Sequence, residues 1–265
     1  MDWLQVVILA IVQGITEFLP VSSSAHLILV PVLTDWPDQG LAFDVALHLG
    51  SLSAVLIYFR QDIINMLQSW TRSLHTRQLD ADAKLAWAVI LGTIPVGLAG
   101  LLLKDTVETV LRSPVYLSVG LIGSGLLLGW ADWRFRGSRS EYQMNWKDVL
   151  FIGCAQALAL FPGTSRSGIT MTAALMLGLS REASARFSFL LSIPVIVLAC
   201  GLETIELIKS QVAVDWLQMA AGVVLSGISA YLCIHYFLAF IKRIGMQPFV
   251  VYRIVLGALL LWIFL

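Results

Sequence analysis

The chain has 265 residues, 58% of them hydrophobic and 13% charged, with 17 basic residues balancing 17 acidic ones. A soluble domain carries about 25% charged residues, so this composition excludes a protein that faces water on every side. Zero net charge argues against a nucleic-acid partner, because no basic stripe is available to neutralise phosphates.

The first apolar segment, Trp3–Val12, follows a single early charge at Asp2. With no basic start and no small-residue cleavage site, it reads as mature structure rather than a leader. It is too short to cross a bilayer, which takes roughly 17–25 apolar residues. A polar stretch follows, Gln13-Gly-Ile-Thr-Glu17-Phe-Leu-Pro20-Val-Ser22-Ser23-Ser24-Ala-His26, and then a second short apolar segment, Leu27–Leu33. Gln13 and Glu17 are four apart and share a helix face. Pro20 interrupts the backbone, and the serines sit where a second helix would begin, which is N-cap chemistry. A carboxylate at membrane depth is costly and marks a cavity or a partner.

Spans are expected over 41–59, 85–103 and 113–131, with Pro95 inside the second. Asp44 and His48, four apart on one face of the first span, lie either behind the polar stretch or near the outer interface. The charged loop Asp132–Glu141 then divides the chain, near residue 146, into halves 1–146 and 147–265.

The second half opens as the first did. Val149–Phe161 and Ile169–Leu179 are short apolar segments around Phe161-Pro162-Gly163-Thr164-Ser165-Arg166-Ser167-Gly168-Ile169-Thr170. Free amides at a helix start bind anions, and Arg166 offers a bidentate fork suited to phosphate oxygens. The serines serve equally as helix caps, and Arg166 equally as an ion-pair partner for Glu17. Spans over 187–203, 216–240 and 249–265 complete six, with Pro194 inside the first of these. His235 and Arg253 fall near span ends, where side chains snorkel to water, and His75 belongs to a solvated loop. Trp3, Trp216 and Trp262 suit interfacial belts. Cys154, Cys200 and Cys233 all lie in apolar runs and read as packing residues rather than a disulfide or zinc framework.

The expected fold is all-α, a polytopic membrane protein of six transmembrane helices plus two re-entrant helical hairpins. A 13-residue helix reaches only about 20 Å of a hydrocarbon layer ~30 Å thick, although two short crossings per pair are the alternative. Each half holds one short pair and three spans, and the Gln13–Pro20 stretch is echoed by Gln156-Ala-Leu-Ala-Leu-Phe-Pro. Three is odd, so the second half starts from the opposite face, an inverted-topology repeat whose broken helices meet near the midplane. One side collects Arg60, Arg72, Arg77, Lys84, Arg134, Arg136, Arg139, Lys147, Arg181, Arg186, Lys242, Arg243 and Arg253, against Lys104, Arg112 and Lys209 on the other. The first side is therefore expected to be cytoplasmic and both termini to face outward.

Together the tips hold a carboxylate, an imidazole, hydroxyls and a cationic clamp, the set that phosphoryl transfer uses. The apolar surroundings suit a lipid tail, so a lipid phosphate or pyrophosphate is the natural substrate. The sequence resembles the bacterial undecaprenyl pyrophosphate phosphatase family associated with bacitracin resistance. Gln13 and Glu17 match its Glu/Gln-x-x-x-Glu motif, and Ser22, Ser23, Ser24 and His26 match the serine-rich stretch and histidine that follow. Pro162, Gly163, Ser165, Arg166, Ser167 and Thr170 match its Pro-Gly-x-Ser-Arg-Ser-x-x-Thr motif.

The resemblance implies hydrolysis of undecaprenyl pyrophosphate to undecaprenyl phosphate and inorganic phosphate in the bacterial plasma (inner) membrane. This recycles the carrier lipid of peptidoglycan synthesis. It implies a divalent cation, Mg²⁺ or Ca²⁺, held by Glu17 with Gln13 as a neutral oxygen ligand where many relatives have glutamate. Arg166 would clamp the pyrophosphate, with Ser22, Ser24, Gly163, Thr164, Ser165, Ser167 and Thr170 as further substrate contacts. Ser23 is the candidate nucleophile and His26 its base, with direct attack by water as the rival route. Bilayer lipids are the other partners, and a homodimer is left open. The alternative function is a lipid-phosphate flippase using the same midplane site, which leaves the serine and histidine cluster without a task.

Overall fold

A computed structural model describes residues 1–109, 114–210 and 214–264. In chain order, the first half comprises helices α1 (Trp3–Phe18), α2 (Ser23–Thr34), α3 (Leu41–Tyr58), α4 (Arg60–Thr76), α5 (Ala81–Thr109) and α6 (Pro114–Arg134). The second half comprises α7 (Trp146–Ala157), α8 (Arg166–Met176), α9 (Arg181–Ser210), α10 (Trp216–Arg243) and α11 (Gln247–Phe264). Six of these, α3, α5, α6, α9, α10 and α11, are long and apolar enough to cross a membrane. They match the six expected spans, and several run further than their apolar stretches. Arg181 and Arg243 extend α9 and α10, because a helix continues past its apolar window for as long as backbone bonds and ion pairs support it. Residue 113 of one expected span, residue 265 of another, and Arg112 lie outside the described residues, as does the side chain of Lys104.

The two short pairs are helical as expected, with 16, 12, 12 and 11 residues in α1, α2, α7 and α8. At 1.5 Å per residue they reach roughly 16–24 Å, short of a full crossing. Helices α1 and α2 are longer than the apolar segments that announced them, α1 taking in Gln13 and Glu17, while α7 and α8 start three residues earlier than theirs, α8 at Arg166. Gln13, Glu17 and Arg166 all have polar partners inside the protein.

Helix α4 is a correction, since this stretch was read as loop. Its apolar residues recur at helical spacing, at Ile63, Met66, Leu67, Trp70 and Leu74, but among charges that lower mean hydropathy below that of a span. Trp70 packs edge-on to Trp87 of α5, and Met66 and Ser73 are buried.

Helix α1 lies along α10, α10 along α3, α7 along α5, and α5 against α9, while α3 meets α9 and α6 meets α11. Close approach depends on small residues, as is usual where lipid provides no hydrophobic drive between helices. Gly14 of α1 is one case, since a β-carbon there would run into the backbone at Ser226 and Ala230 and into the Ser229 hydroxyl. At one end of the bundle several basic side chains are held in ion pairs. Arg181 binds buried Asp132 at 2.6 Å, Arg186 bridges Asp62 and Glu141 at 2.7 Å each, and Arg139 meets Asp148 at 2.6 Å.

Candidate active site

Both short pairs break at a proline. After Phe18 the chain runs extended through Leu19, and Ser22 takes a left-handed conformation (φ 73°) before α2 starts at Ser23. Such a φ is strained for a residue with a side chain and persists only where surroundings hold it. Here the Ser22 carbonyl accepts from His26 Nδ1 at 2.7 Å, and its hydroxyl meets that of Ser24 at 3.2 Å. In the second pair a 3₁₀ turn over Leu158–Leu160 follows α7, and Gly163 turns at φ 79°. A β-carbon on Gly163 would strike the Leu117 carbonyl of α6, so both the turn and the close approach require glycine. The Thr164 amide closes this turn on the Phe161 carbonyl at 3.1 Å. Ser165 then caps α8, its hydroxyl accepting from the Gly168 amide at 3.1 Å.

The two breaks meet. Arg166 Nη2 donates to Glu17 Oε1 at 2.8 Å, an ion pair 149 residues apart in sequence, with the side chains only 13% and 6% exposed. The other carboxylate oxygen of Glu17, Oε2, accepts from Ser23 Oγ at 2.7 Å and Gln13 Nε2 at 2.9 Å, and His48 Nε2 lies 3.7 Å away. Arg166 Nη1 reaches the Ser188 carbonyl at 3.4 Å. Thr170 shares a hydrogen bond with the Ser188 hydroxyl at 2.7 Å, and the Ser165 and Ser167 hydroxyls lie 3.0 Å apart. Ser167 also crosses between the breaks, donating to the Leu19 carbonyl at 2.8 Å. Buried charges are retained when paired and fully hydrogen-bonded, and Glu17 meets both conditions.

Every residue expected at the site therefore lies at one of the two breaks or, like Gln13 and Thr170, within two turns of one on the adjoining helix. One expected relation does not form. Helix α2 starts at Ser23, which puts His26 three positions on, yet the His26 ring points away from Ser23. Its Nδ1 is taken by the Ser22 carbonyl, and its Nε2 lies 2.5 Å from the Tyr252 hydroxyl. A carbonyl only accepts, so Nδ1 carries the proton and Nε2 accepts from Tyr252. The Ser23 hydroxyl is directed to Glu17 instead.

Of the residues left open on α3, His48 lies beside the site through its contact with Glu17, while Asp44 accepts from Gln39 at 2.9 Å. His235 is exposed, as expected of a snorkelling side chain. Arg253 overturns the same expectation: it is fully buried. Glycines on α6 admit it, Gly125 lying against its β-carbon, and carbonyls freed at the two breaks receive its donors. The signal was its isolation as the single charge in the run Phe249–Leu265, which a fixed distance from the helix end masked. Tyr252 and Ser188 gave no signal, being ordinary residues of apolar helices.

The fold and site define a polytopic helical membrane protein with an ion-paired polar site between two broken helices. The chain belongs to the bacitracin resistance protein BacA family, whose sequence profile matches residues 6–259. It is 62% identical over 267 residues to undecaprenyl-diphosphatase 2 of Stutzerimonas stutzeri (strain A1501), covering 100% of this chain and 99% of that one. It is 57% identical to the undecaprenyl-diphosphatase of Nitrosococcus oceani and 58% identical to that of Thioalkalivibrio sulfidiphilus (strain HL-EbGR7), with 100% of each chain covered in both pairs.

Proposed function

We propose that this chain hydrolyses undecaprenyl pyrophosphate to undecaprenyl phosphate and inorganic phosphate, and that the carrier lipid so recycled confers bacitracin resistance. The observation that carries this is the Glu17–Arg166 pair at 2.8 Å, set among the hydroxyls of Ser23, Ser165, Ser167 and Thr170. A guanidinium and the amides of a helix start match a diphosphate headgroup. An apolar cleft of about 680 Å³ runs between α1 and α10 to Leu19, beside the first break, and suits a prenyl tail. The test is phosphate release from farnesyl or undecaprenyl pyrophosphate by purified protein in detergent. Release without a membrane gradient is expected, whereas a flippase would release none.

In the proposed reaction Arg166 moves its hydrogen bonds from Glu17 and the Ser188 carbonyl to the terminal phosphate oxygens and neutralises their charge. Ser23 Oγ attacks the terminal phosphorus, its proton passes to Glu17, and the bond to the bridging oxygen breaks, releasing undecaprenyl phosphate. Water then cleaves phosphoserine, releasing inorganic phosphate, and Glu17 returns the proton. Glu17 takes the place first given to His26 because the Ser23 hydroxyl already points at it. His26 and Tyr252 hold the strained Ser22 turn from the far side. Ser23→Ala is expected to abolish turnover and the labelled phosphoserine seen in rapid quench. Near-normal release by that variant means that water attacks directly. Tyr252→Phe is expected to lower kcat by roughly two- to tenfold and to cost no more than about 0.5–1.5 kcal/mol in stability, the worth of one neutral hydrogen bond. An unchanged kcat would remove the His26–Tyr252 contact from the account.

A divalent cation, Mg²⁺ or Ca²⁺, fits this site on limited terms. Gln13 is fully buried, and its Oε1 has no hydrogen-bond partner; the same is true of Gln156, which faces α5. Among the described residues no group of three or more His, Cys, Asp or Glu is arranged to hold an ion. Glu17 and Gln13 would therefore hold it together with oxygens of the diphosphate, the usual arrangement for Mg²⁺. Bound there, it would supply charge neutralisation to the phosphoryl group.

The same reading places the protein in the bacterial inner membrane with both termini outward and each short pair re-entrant. It takes the halves 1–146 and 147–265 as inverted repeats. The packing supports this, because exchanging the halves turns the α1–α10 contact into α7–α5 and α3–α10 into α9–α5, while α3–α9 and α6–α11 map onto themselves.

A further inference from the structure

We propose that Arg253 is a positioning residue that sets the two breaks in register and supplies the positive charge that draws the diphosphate in. This deepens the phosphatase reading and rests on it. Arg253 is fully buried in α11, and its guanidinium donates to oxygens from three separate segments. Nη1 reaches the Pro20 carbonyl at 3.2 Å, and Nη2 the Gly163 carbonyl at 3.1 Å. Nε and Nη2 bind the α6 carbonyls of Leu121 and Gly120 at 3.2 and 3.5 Å, and Nη2 also meets the Ser124 hydroxyl.

Two features set this arginine apart. First, the carbonyls it joins lie three positions from the residues doing the proposed chemistry. Pro20 is midway between Glu17 and Ser23, and Gly163 precedes Arg166 by three. Both breaks are irregular backbone, whose carbonyls lack the helix partners that fix them elsewhere. Two other hydrogen bonds tie break to break directly among the described residues, Arg166 to Glu17 and Ser167 to Leu19. A planar fork with several donors spans such a set, whereas a lysine ammonium on a flexible stem does not. Second, all five acceptors are neutral. Among the described residues Arg253 has no carboxylate within ion-pair distance, whereas Arg139, Arg166 and Arg181 each have one and Arg186 has two. A buried charge left without a counter-ion is costly. An anionic headgroup bound nearby compensates it, and Gly168, two residues from Arg166, lies directly against the guanidinium.

The test compares wild type with Arg253→Lys and Arg253→Met. It measures kcat and KM for farnesyl pyrophosphate, the affinity for inorganic pyrophosphate by calorimetry, and thermal unfolding in detergent. Arg253→Lys keeps the charge and loses the fork. It is expected to hold pyrophosphate affinity and KM near wild type while kcat falls about 100-fold, the scale of a 1 Å misplacement. Arg253→Met loses both, and its pyrophosphate affinity is expected to fall at least about tenfold further. A Lys variant whose folded fraction turns over at the wild-type kcat overturns the positioning role. If Met does not fold, Ser124→Ala loosens the same guanidinium and should lower kcat without changing pyrophosphate affinity; unchanged kcat there also overturns the proposal. Equal pyrophosphate affinity in folded Met and wild type overturns the charge. A wild type that binds pyrophosphate but releases no phosphate sinks the phosphatase reading alone, because the affinity comparison still reads Arg253.

Discussion

Purified Arg166→Ala is expected to release phosphate from farnesyl pyrophosphate at about one-thousandth of the wild-type kcat. Deleting one donor to a developing oxyanion typically costs 10²–10³ in kcat, and deleting a phosphate-directed arginine about 10³–10⁵. Arg166 is the guanidinium that opens α8 and reaches across to Glu17. The substitution also leaves Glu17 with its hydroxyl and amide donors but without its cation. Breaking a buried pair in this way destabilises by about 3–5 kcal/mol at most, less here because Ser23 and Gln13 still donate to the carboxylate. Activity and stability are separated by Arg166→Lys. Lysine preserves the charge opposite Glu17, so thermal unfolding should stay close to wild type. It cannot bind two phosphate oxygens at once, so kcat should still fall by about 100-fold. Wild-type kcat in folded Arg166→Lys would show that bidentate binding contributes nothing.

Glu17→Gln is the second large effect expected. The amide preserves the shape and one acceptor oxygen, but it cannot take the Ser23 proton and carries no charge for a cation. A loss of about 10²–10⁴ in kcat corresponds to removing a general base. The remaining activity should no longer respond to Mg²⁺ or Ca²⁺ added after EDTA treatment. Gln13→Ala provides the contrast: it removes a neutral oxygen, so activity should recover at higher cation concentration. A Glu17→Gln protein whose activity still rises and falls with the cation would move the metal away from this carboxylate. The two substitutions should not be additive, because Glu17 and Arg166 share one contact.

The sequence by itself determined the class of fold and where the chemistry lies. Length of apolar run separates α3, α5, α6, α9, α10 and α11 from the short helices, because a bilayer sets a minimum span. Polar residues are so costly at depth that Glu17 and Arg166 stood out without any coordinates. Both turned out to lie at breaks in helices, where proline, glycine and capping serines had announced irregular backbone. Helix α4 was missed because a search for spans averages away an amphipathic pattern.

Tertiary structure alone decided which side chains meet. Ser23 and His26 share a helix turn, and sequence spacing made them partners. The strained Ser22 turn and Tyr252, 226 residues on from His26, took both imidazole nitrogens, so Ser23 turned to Glu17. Arg253 looked like a side chain seeking water because periodicity gives distance along a helix and not what a neighbouring helix offers. Freed carbonyls at two distant breaks and the glycines of α6 made a polar recess inside the bundle, and a guanidinium goes where its donors are satisfied.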